Sequence, residues 1–244
     1  DEVTFQGDAY RNQVGQTLLL VVPEPPFEVE DQETIDLTGW SAFSRWTHKI
    51  SDDSETILQG YFNHAKRMGI WYDEERHTAD VDFQHRFQLA TRHEIIWGLG
   101  YRNYEDELGN GPTVRFDPEE EQLQLLSASL QDEITVVEDK LKLTVGSKFE
   151  DHYYSGFEVQ PSVRAVWTPT KRQAVWAASS YAMRTPSRAE LDVDFDAAAF
   201  PLDDETVGLI HLVGNKDYDS EDLLSYEVGY RVQPHERWWF DVAA

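Results

Sequence analysis

Residues 80–89 read Asp80-Val81-Asp82-Phe83-Gln84-His85-Arg86-Phe87-Gln88-Leu89. Wound as a helix, this decapeptide would scatter its apolar groups around the axis. Drawn out as a strand, it puts Val81, Phe83, His85, Phe87 and Leu89 on one face and Asp82, Gln84, Arg86 and Gln88 on the other. The next run repeats the pattern: Ile95, Trp97, Leu99 and Tyr101 oppose Glu94, Ile96, Gly98, Gly100 and Arg102 across a turn at Thr91-Arg92-His93. Two alternating runs joined by a short polar turn make a hairpin.

The alternation extends in both directions. Leu141, Leu143, Val145 and Phe149 oppose Lys142, Thr144, Lys148 and Glu150; Val159, Val163, Ala165 and Trp167 oppose Gln160, Ser162 and Arg164. Leu224, Tyr226, Val228, Tyr230 and Val232 oppose Ser225, Glu227, Gly229 and Arg231. The whole chain resolves into about eleven strands, at 2–10, 38–49, 55–66, 78–89, 93–104, 121–136, 141–153, 157–167, 173–183, 224–232 and 237–244. Many are longer than the five or six residues usual in globular sheets, and about 9–11 residues is what a tilted strand needs to cross a bilayer. Short turns at 51–54, 91–92, 138–140, 169–171 and 234–236 alternate with connections read as long loops, at 11–37, 67–77, 105–120 and 184–223; residues 154–156 are the one short link among these. Short turns at one end and long loops at the other are the habit of outer-membrane barrels.

Composition agrees and sets limits. The longest apolar run, Leu18 to Val22, is too short for a membrane helix, whereas a membrane barrel keeps its mean hydropathy low because its strands alternate. Aromatic residues make up 13% of the chain, with eight Trp and eleven Tyr. Trp167 and Trp238 flank short turns, and Trp40 and Trp97 fall on apolar faces, as interfacial aromatic girdles would have them. A net charge of −25 repels phosphate backbones and argues against nucleic acid as a partner. The absence of cysteine removes disulfides, thiolate metal sites and a Cys nucleophile. The first residues, Asp1-Glu2-Val3-Thr4, lack the basic segment and apolar core of a secretory signal. The expectation is either a mature terminus or a piece cut from a longer chain.

With this frame in place, the order of short motifs resembles the barrel of TonB-dependent outer-membrane receptors. The stretch Leu143 to Arg188 carries it, above all Arg184-Thr185-Pro186 followed by Glu190-Leu191, where the family has an Arg-x-Pro segment that opens a long external loop. Gly214-Asn215, Glu221 and Tyr226-Glu227-Val228-Gly229 stand where the family closes that loop and starts the next strand, and Gln131-Asp132-Glu133 is similar to its strand before a periplasmic turn. The resemblance implies an all-β, antiparallel, up-and-down transmembrane β-barrel, of which residues 1–244 would supply about half of 22 strands, as a partial, open barrel without its plug domain. It implies a bacterial outer-membrane location and active import of a scarce ligand, a ferric siderophore or similar metal chelate, energised through TonB. TonB, the plug and outer-membrane lipid would be the partners. Arg184, Pro186, Glu190, Gly214, Asn215, Glu221, Tyr226, Glu227 and Gly229 would be scaffold rather than specificity residues. Asp82, Gln84, Arg86, Glu94, Arg102, Gln160, Arg164, Glu227 and Arg231 would line the lumen and meet the plug.

Two other readings use the same alternation: a passive porin-like or structural barrel, and a soluble β-sandwich module for carbohydrate. No catalytic signature is present: there is no Gly-x-Ser-x-Gly, no His-Glu-x-x-His and no phosphate-binding loop. No enzyme activity, cofactor or metal site is therefore assigned. The eight His are dispersed; His48 and His64, and His85 and His93, are the pairs that adjacent strands could bring together. The stretch 190–222 is strongly acidic (Glu190, Asp192, Asp194, Asp196, Asp203, Asp204, Glu205, Asp217, Asp219, Glu221, Asp222) and reads as a solvated loop. Asp192-Val193-Asp194-Phe195-Asp196 imitates the start of a calcium loop but lacks its Gly and distal Glu. Arg184 and Arg188 are the basic residues best placed to pair with these acids or to face an anion.

Overall fold

The alternating decapeptide lies in β4 (Tyr72–Leu89), paired in one antiparallel register with β5 (His93–Asn110) along its whole length, from Tyr72 opposite Asn110 to Leu89 opposite His93. The computed structural model describes residues 1–203 and 206–244. Before β4 come β1 (Glu2–Val21), β2 (Glu28–Ser51) and β3 (Ser54–Met68). After β5 follow β6 (Val114–Phe116), β7 (Glu120–Val137), β8 (Leu141–His152), β9 (Gly156–Thr170) and β10 (Gln173–Arg184). A single helical turn, α1 (Arg188–Leu191), leads to β11 (Val193–Pro201) and β12 (Val207–Val213), and the chain ends in β13 (Glu221–His235) and β14 (Trp238–Ala243). Eleven strands form one antiparallel sheet in the order β1-β2-β3-β4-β5-β7-β8-β9-β10-β13-β14, a meander with no crossover. It is an open, partial barrel wall with β1 and β14 as its edges. A two-sheet sandwich is excluded by this topology.

The register explains the two faces. Residues directly opposite one another point the same way, so a row can be followed from strand to strand. One row runs Val3, Trp46, Leu58, Phe83, Leu99, Ala128, Phe149, Val159. A row of opposite parity runs Lys49, Glu55, Arg86, Ile96, Gln131, Gly146, Ser162, Ser180, Ser225. The first face is apolar and uncovered: Phe5 is 76% exposed, and Leu99, Leu126 and Val145 are exposed with it. Soluble monomers rarely leave a contiguous apolar surface of this extent open to water, and a barrel wall turns such a face to lipid.

The loops differ from the sequence reading. Residues 11–21 and 28–37, read as one long loop, prolong β1 and β2, leaving a six-residue turn at 22–27. The strand β2 is 24 residues long, roughly 80 Å at about 3.3 Å per residue, so more than half of it lies outside any hydrocarbon layer. Most of 67–77 and 105–120 is also strand. The region 184–223 contains α1 and the β11–β12 hairpin, which joins β6 in a separate three-stranded sheet of order β12-β11-β6. The reason is that strand segments with water on both sides are under a looser demand. They need no apolar face, and period-two patterning fades where hydrogen-bonded register continues.

The small sheet carries the best-defined core. Val193 and Phe195 of β11 pack with Trp71 and Tyr72 against Leu108, Val114 and Phe116. This cluster sits at the end of the sheet away from the short turns, where it fixes the segment after β10.

Candidate functional site

The most tightly organised polar site is the arch between β10 and β13. Register places Arg184, the last residue of β10, opposite Glu221, the first of β13. The Arg184 guanidinium donates to both carboxylates of the arch: 3.0 and 2.8 Å to Glu190, and 3.0 and 2.7 Å to Glu221. A planar fork meeting two carboxylates is the geometry Arg supplies and Lys does not. Pro186 is buried and disfavours helix at the residue before it. Ser187 caps α1, and its N–H and hydroxyl each donate 2.9 Å to Glu190. Glu190 thus completes a capping box and an ion pair at once. The hydrogen bonds from Arg184 first, then those from Ser187, pull its carboxyl down to about 2.

Closure at the far side depends on Gly214 and Asn215. The Gly214 N–H donates to the Val193 carbonyl at 2.6 Å and the Asn215 N–H to the Glu190 carbonyl at 2.8 Å. A Cβ on Gly214 would meet the Leu191 carbonyl carbon at 2.5 Å and the Asp192 nitrogen at 2.7 Å, both backbone atoms that cannot step aside. The Asn215 side chain accepts the Asp217 N–H at 3.0 Å. Along β13, Tyr226 lies on the apolar face and Glu227 on the polar one; Gly229 leaves room for the Trp176 ring, which a Cβ would meet at 2.3 Å. Nine residues singled out in the sequence are thereby divided: Arg184, Pro186, Glu190, Gly214, Asn215 and Glu221 form one arch, whereas Tyr226, Glu227 and Gly229 are strand positions below it.

Arg188 holds the arch down onto the polar face. It is 7% exposed and donates to Asp192 at 2.8 Å, to Asp106 and to the Pro118 carbonyl, with Glu121 3.1 Å away. Asp106 and Glu121 are register partners on β5 and β7, and Glu121 also accepts the Tyr154 hydroxyl. Lys216 adds a second cation, 3.1 Å from Asp192 and 2.7 Å from the Asp117 carbonyl. Beside this knot the polar face forms a cavity of about 260 Å³ lined by Arg102, Tyr104, Glu150, His152 and Glu158 among others. Glu158 is buried and accepts a hydrogen bond of 2.8 Å from Ser220.

The first part of the acidic stretch is therefore not a solvated loop, whereas Asp217 and Asp219, in the link before β13, are exposed. Asp192 is buried between Arg188 and Lys216. Asp194 and Asp196 share Arg115, at 2.7 and 3.1 Å, and both contact His211. Asp204 and Glu205 lie outside the described residues. The acids could be counted in the sequence, but Arg115 lies about 80 residues away in the chain, and His211 meets them only through the β11–β12 register.

The residues expected to line the lumen all fall on the polar face. Asp82 and Gln84 share β4 with Arg86, which reaches Glu94 at 3.2 Å; Arg102 pairs with Asp80 at 2.9 Å. Gln160 donates to Glu150, and Arg231 to Asp241 at 2.9 Å. Arg164 sits in the row Gln88, Glu94, Glu133, Thr144, Arg164, Ala178, Glu227. The histidine pairs are different from those expected. His48 lies opposite Thr56 and contacts Asp1, and His64 lies opposite His77. His85 hydrogen-bonds Ser54 at 3.0 Å, and His93 contacts Asp132 at 2.8 Å. Adjacent strands alone do not decide which residues meet; the register does.

Residues 23–244 match the family model described as TonB dependent receptor-like, beta-barrel. The chain belongs to this family. Solved structures with the same fold include the siderophore receptor PirA from Acinetobacter baumannii, with a TM-score of 0.60 and 16% identity over 82% of this chain and 33% of that one. A variant of the ferric enterobactin receptor PfeA from Pseudomonas aeruginosa aligns with a TM-score of 0.66 and 12% identity over 86% of this chain and 34% of that one. The ferric yersiniabactin uptake receptor FyuA from Yersinia pestis gives 0.58 and 13%, over 87% and 36%. This TonB-dependent receptor-like barrel thus spans about a third of the length of these relatives. No curated protein matches it in sequence.

Proposed function

We propose that the chain is part of the wall of an outer-membrane active transporter that imports a scarce metal chelate, a ferric siderophore foremost, with energy delivered through TonB. The observation that carries this reading is the family match over residues 23–244 on a sheet with one apolar and one polar face. In such a transporter the short turns lie in the periplasm and the arch lies outside, over the mouth of the lumen. The charged residues of the polar face would hydrogen-bond a plug, and the arch would hold an external loop in a fixed pose above it. Transport makes and breaks no covalent bond, so the family's chemistry is binding and gating.

The test is uptake of radiolabelled iron by cells stripped of their own siderophore receptors and expressing the intact receptor that carries this chain. Uptake of at least one ferric siderophore that stops when TonB is deleted is the expected result. Diffusive uptake that persists without TonB would support the porin-like alternative and overturn the proposal.

A further inference from the structure

On the apolar side of the sheet, beyond the uncovered apolar band, β3 and β4 bring three metal-ligating side chains together. His64 and His77 are direct register partners. Their rings stack with centroids 4.7 Å apart and a 28° tilt. Glu75 stands two residues from His77 on the same face. Its Oε1 lies 3.0 Å from His64 Nε2 and 3.7 Å from His77 Nε2. All three donor atoms lie within 4.8 Å of one another. Ligands about 2.0–2.1 Å from a tetrahedral zinc ion are about 3.4 Å apart, so the observed spacings need only small adjustment to share one ion.

Three features make this more than a chance meeting of side chains. The other carboxylate oxygen, Glu75 Oε2, is held at 2.6 Å by Lys66, which fixes the carboxylate and leaves Oε1 turned to the two imidazoles. Supporting contacts of this kind orient metal ligands. His64 is mostly sheltered, with its side chain 18% exposed, so its ring is pre-positioned. Finally, Glu75 and His77 open onto a groove shared with Glu105, Glu107 and Glu120. Glu105 lies opposite His77 and Glu107 opposite Glu75, so the local field favours a cation. The second cluster with suitable donors, Asp194, Asp196 and His211, offers one imidazole instead of two, and Arg115 contacts both of its carboxylates, whereas Lys66 engages only the oxygen of Glu75 turned away from the imidazoles.

We propose that His64, Glu75 and His77 form a binding site for a divalent ion of the zinc type on the outer flank of the barrel, separate from the lumen. Two imidazoles and a carboxylate select borderline ions such as Zn²⁺ over Mg²⁺ or Ca²⁺, which prefer all-oxygen sites. The site depends only on the β3–β4 register, so it stands whether or not the barrel imports a chelate.

The experiment is a Zn²⁺ titration of the detergent-solubilised intact receptor against a competing indicator, with Co²⁺ as a spectroscopic stand-in. Expected are one Zn²⁺ bound at this site and a visible Co²⁺ spectrum of tetrahedral intensity. Both should be lost, with affinity falling at least about a hundredfold, in the His64→Ala/His77→Ala double variant and retained in His211→Ala. Unchanged Zn²⁺ stoichiometry and affinity in the double variant would overturn the proposal. If that variant fails to fold, diethyl pyrocarbonate footprinting of the unmodified receptor decides. Zn²⁺ should slow acylation of His64 and His77 and leave His235 unaffected; equal rates with and without Zn²⁺ at all three positions would overturn the proposal.

Discussion

Arg188 shows how much a single side chain can organise. Its guanidinium is the positive partner of Asp106 and Asp192, all three nearly removed from water. Removing one member of a buried ion pair strands the others, at a cost of about 3–5 kcal/mol. Arg188→Ala is expected to release the arch from β5 and β7, read as fast proteolysis between residues 185 and 220 in an otherwise protected receptor. An unchanged cleavage pattern would show that the arch is held elsewhere. Gly214→Ala should give the same phenotype by a different route, since its Cβ collides with backbone rather than with a movable side chain. Glu190 adds a dependence on pH. Its carboxyl is held near 2, below the ordinary 4.5, so its contribution is fully present above about 4.5 and lost as pH falls through about 2. Cleavage of the arch by pepsin, normalised to an unstructured substrate, should rise as pH drops across that window. In Glu190→Gln it should start higher and rise less, since Glu221, held near 2 by the same Arg184, still titrates; a flat wild-type profile would remove Glu190 from the account. Much of this was legible beforehand: Arg184, Glu190, Gly214 and Glu221 follow one another as a motif. Asp106 and Glu121 were not, because nothing near them in the chain marks them as partners of Arg188.

The strands were readable where each has two different environments. Residues 80–89 alternate because one face must be greasy and the other wet. Residues 28–36 form an equally regular strand with acids on both faces, Glu28, Glu30, Asp31, Glu33 and Asp36; there backbone pairing with Gln13 to Val21, helped by hydrogen bonds such as Gln16 to Glu33 at 2.6 Å, takes the place of an apolar face. The stretch 192–196 misleads in the opposite sense. Its alternation is that of a strand, Val193 and Phe195 inward to a small core and Asp194 and Asp196 toward Arg115 and His211, but its density of acids reads as a loop. The apolar band makes a sharper demand. Leu99 lies mid-row between Phe83 and Ala128, and Leu99→Lys should cost about 2–4 kcal/mol on folding into bilayers. Ser129→Lys, on the polar face, should be near neutral. Equal penalties at the two positions, measured by denaturant titration in lipid vesicles, would contradict the assignment of faces.

At the level of the complete sheet, the two edges and the uncovered apolar face set the behaviour of residues 1–244 by themselves. Unpaired edge strands and exposed Phe5, Leu126 and Tyr226 are templates for association, so this stretch, expressed alone in plain buffer, should aggregate. A sharp, reversible melting transition of a soluble monomer would contradict a membrane wall. The absence of cysteine permits a more direct measurement in the intact receptor, since each introduced thiol is the only one in this chain. Spin labels on Phe83→Cys, Leu99→Cys and Leu126→Cys should be accessible to oxygen dissolved in the bilayer and shielded from an aqueous nickel chelate. Labels on Asp82→Cys, Gln84→Cys and Ser129→Cys should lack that lipid signature, giving a period of two along each strand. A wall of a membrane barrel requires this alternation; equal accessibility of both sets would show that the apolar face does not meet lipid.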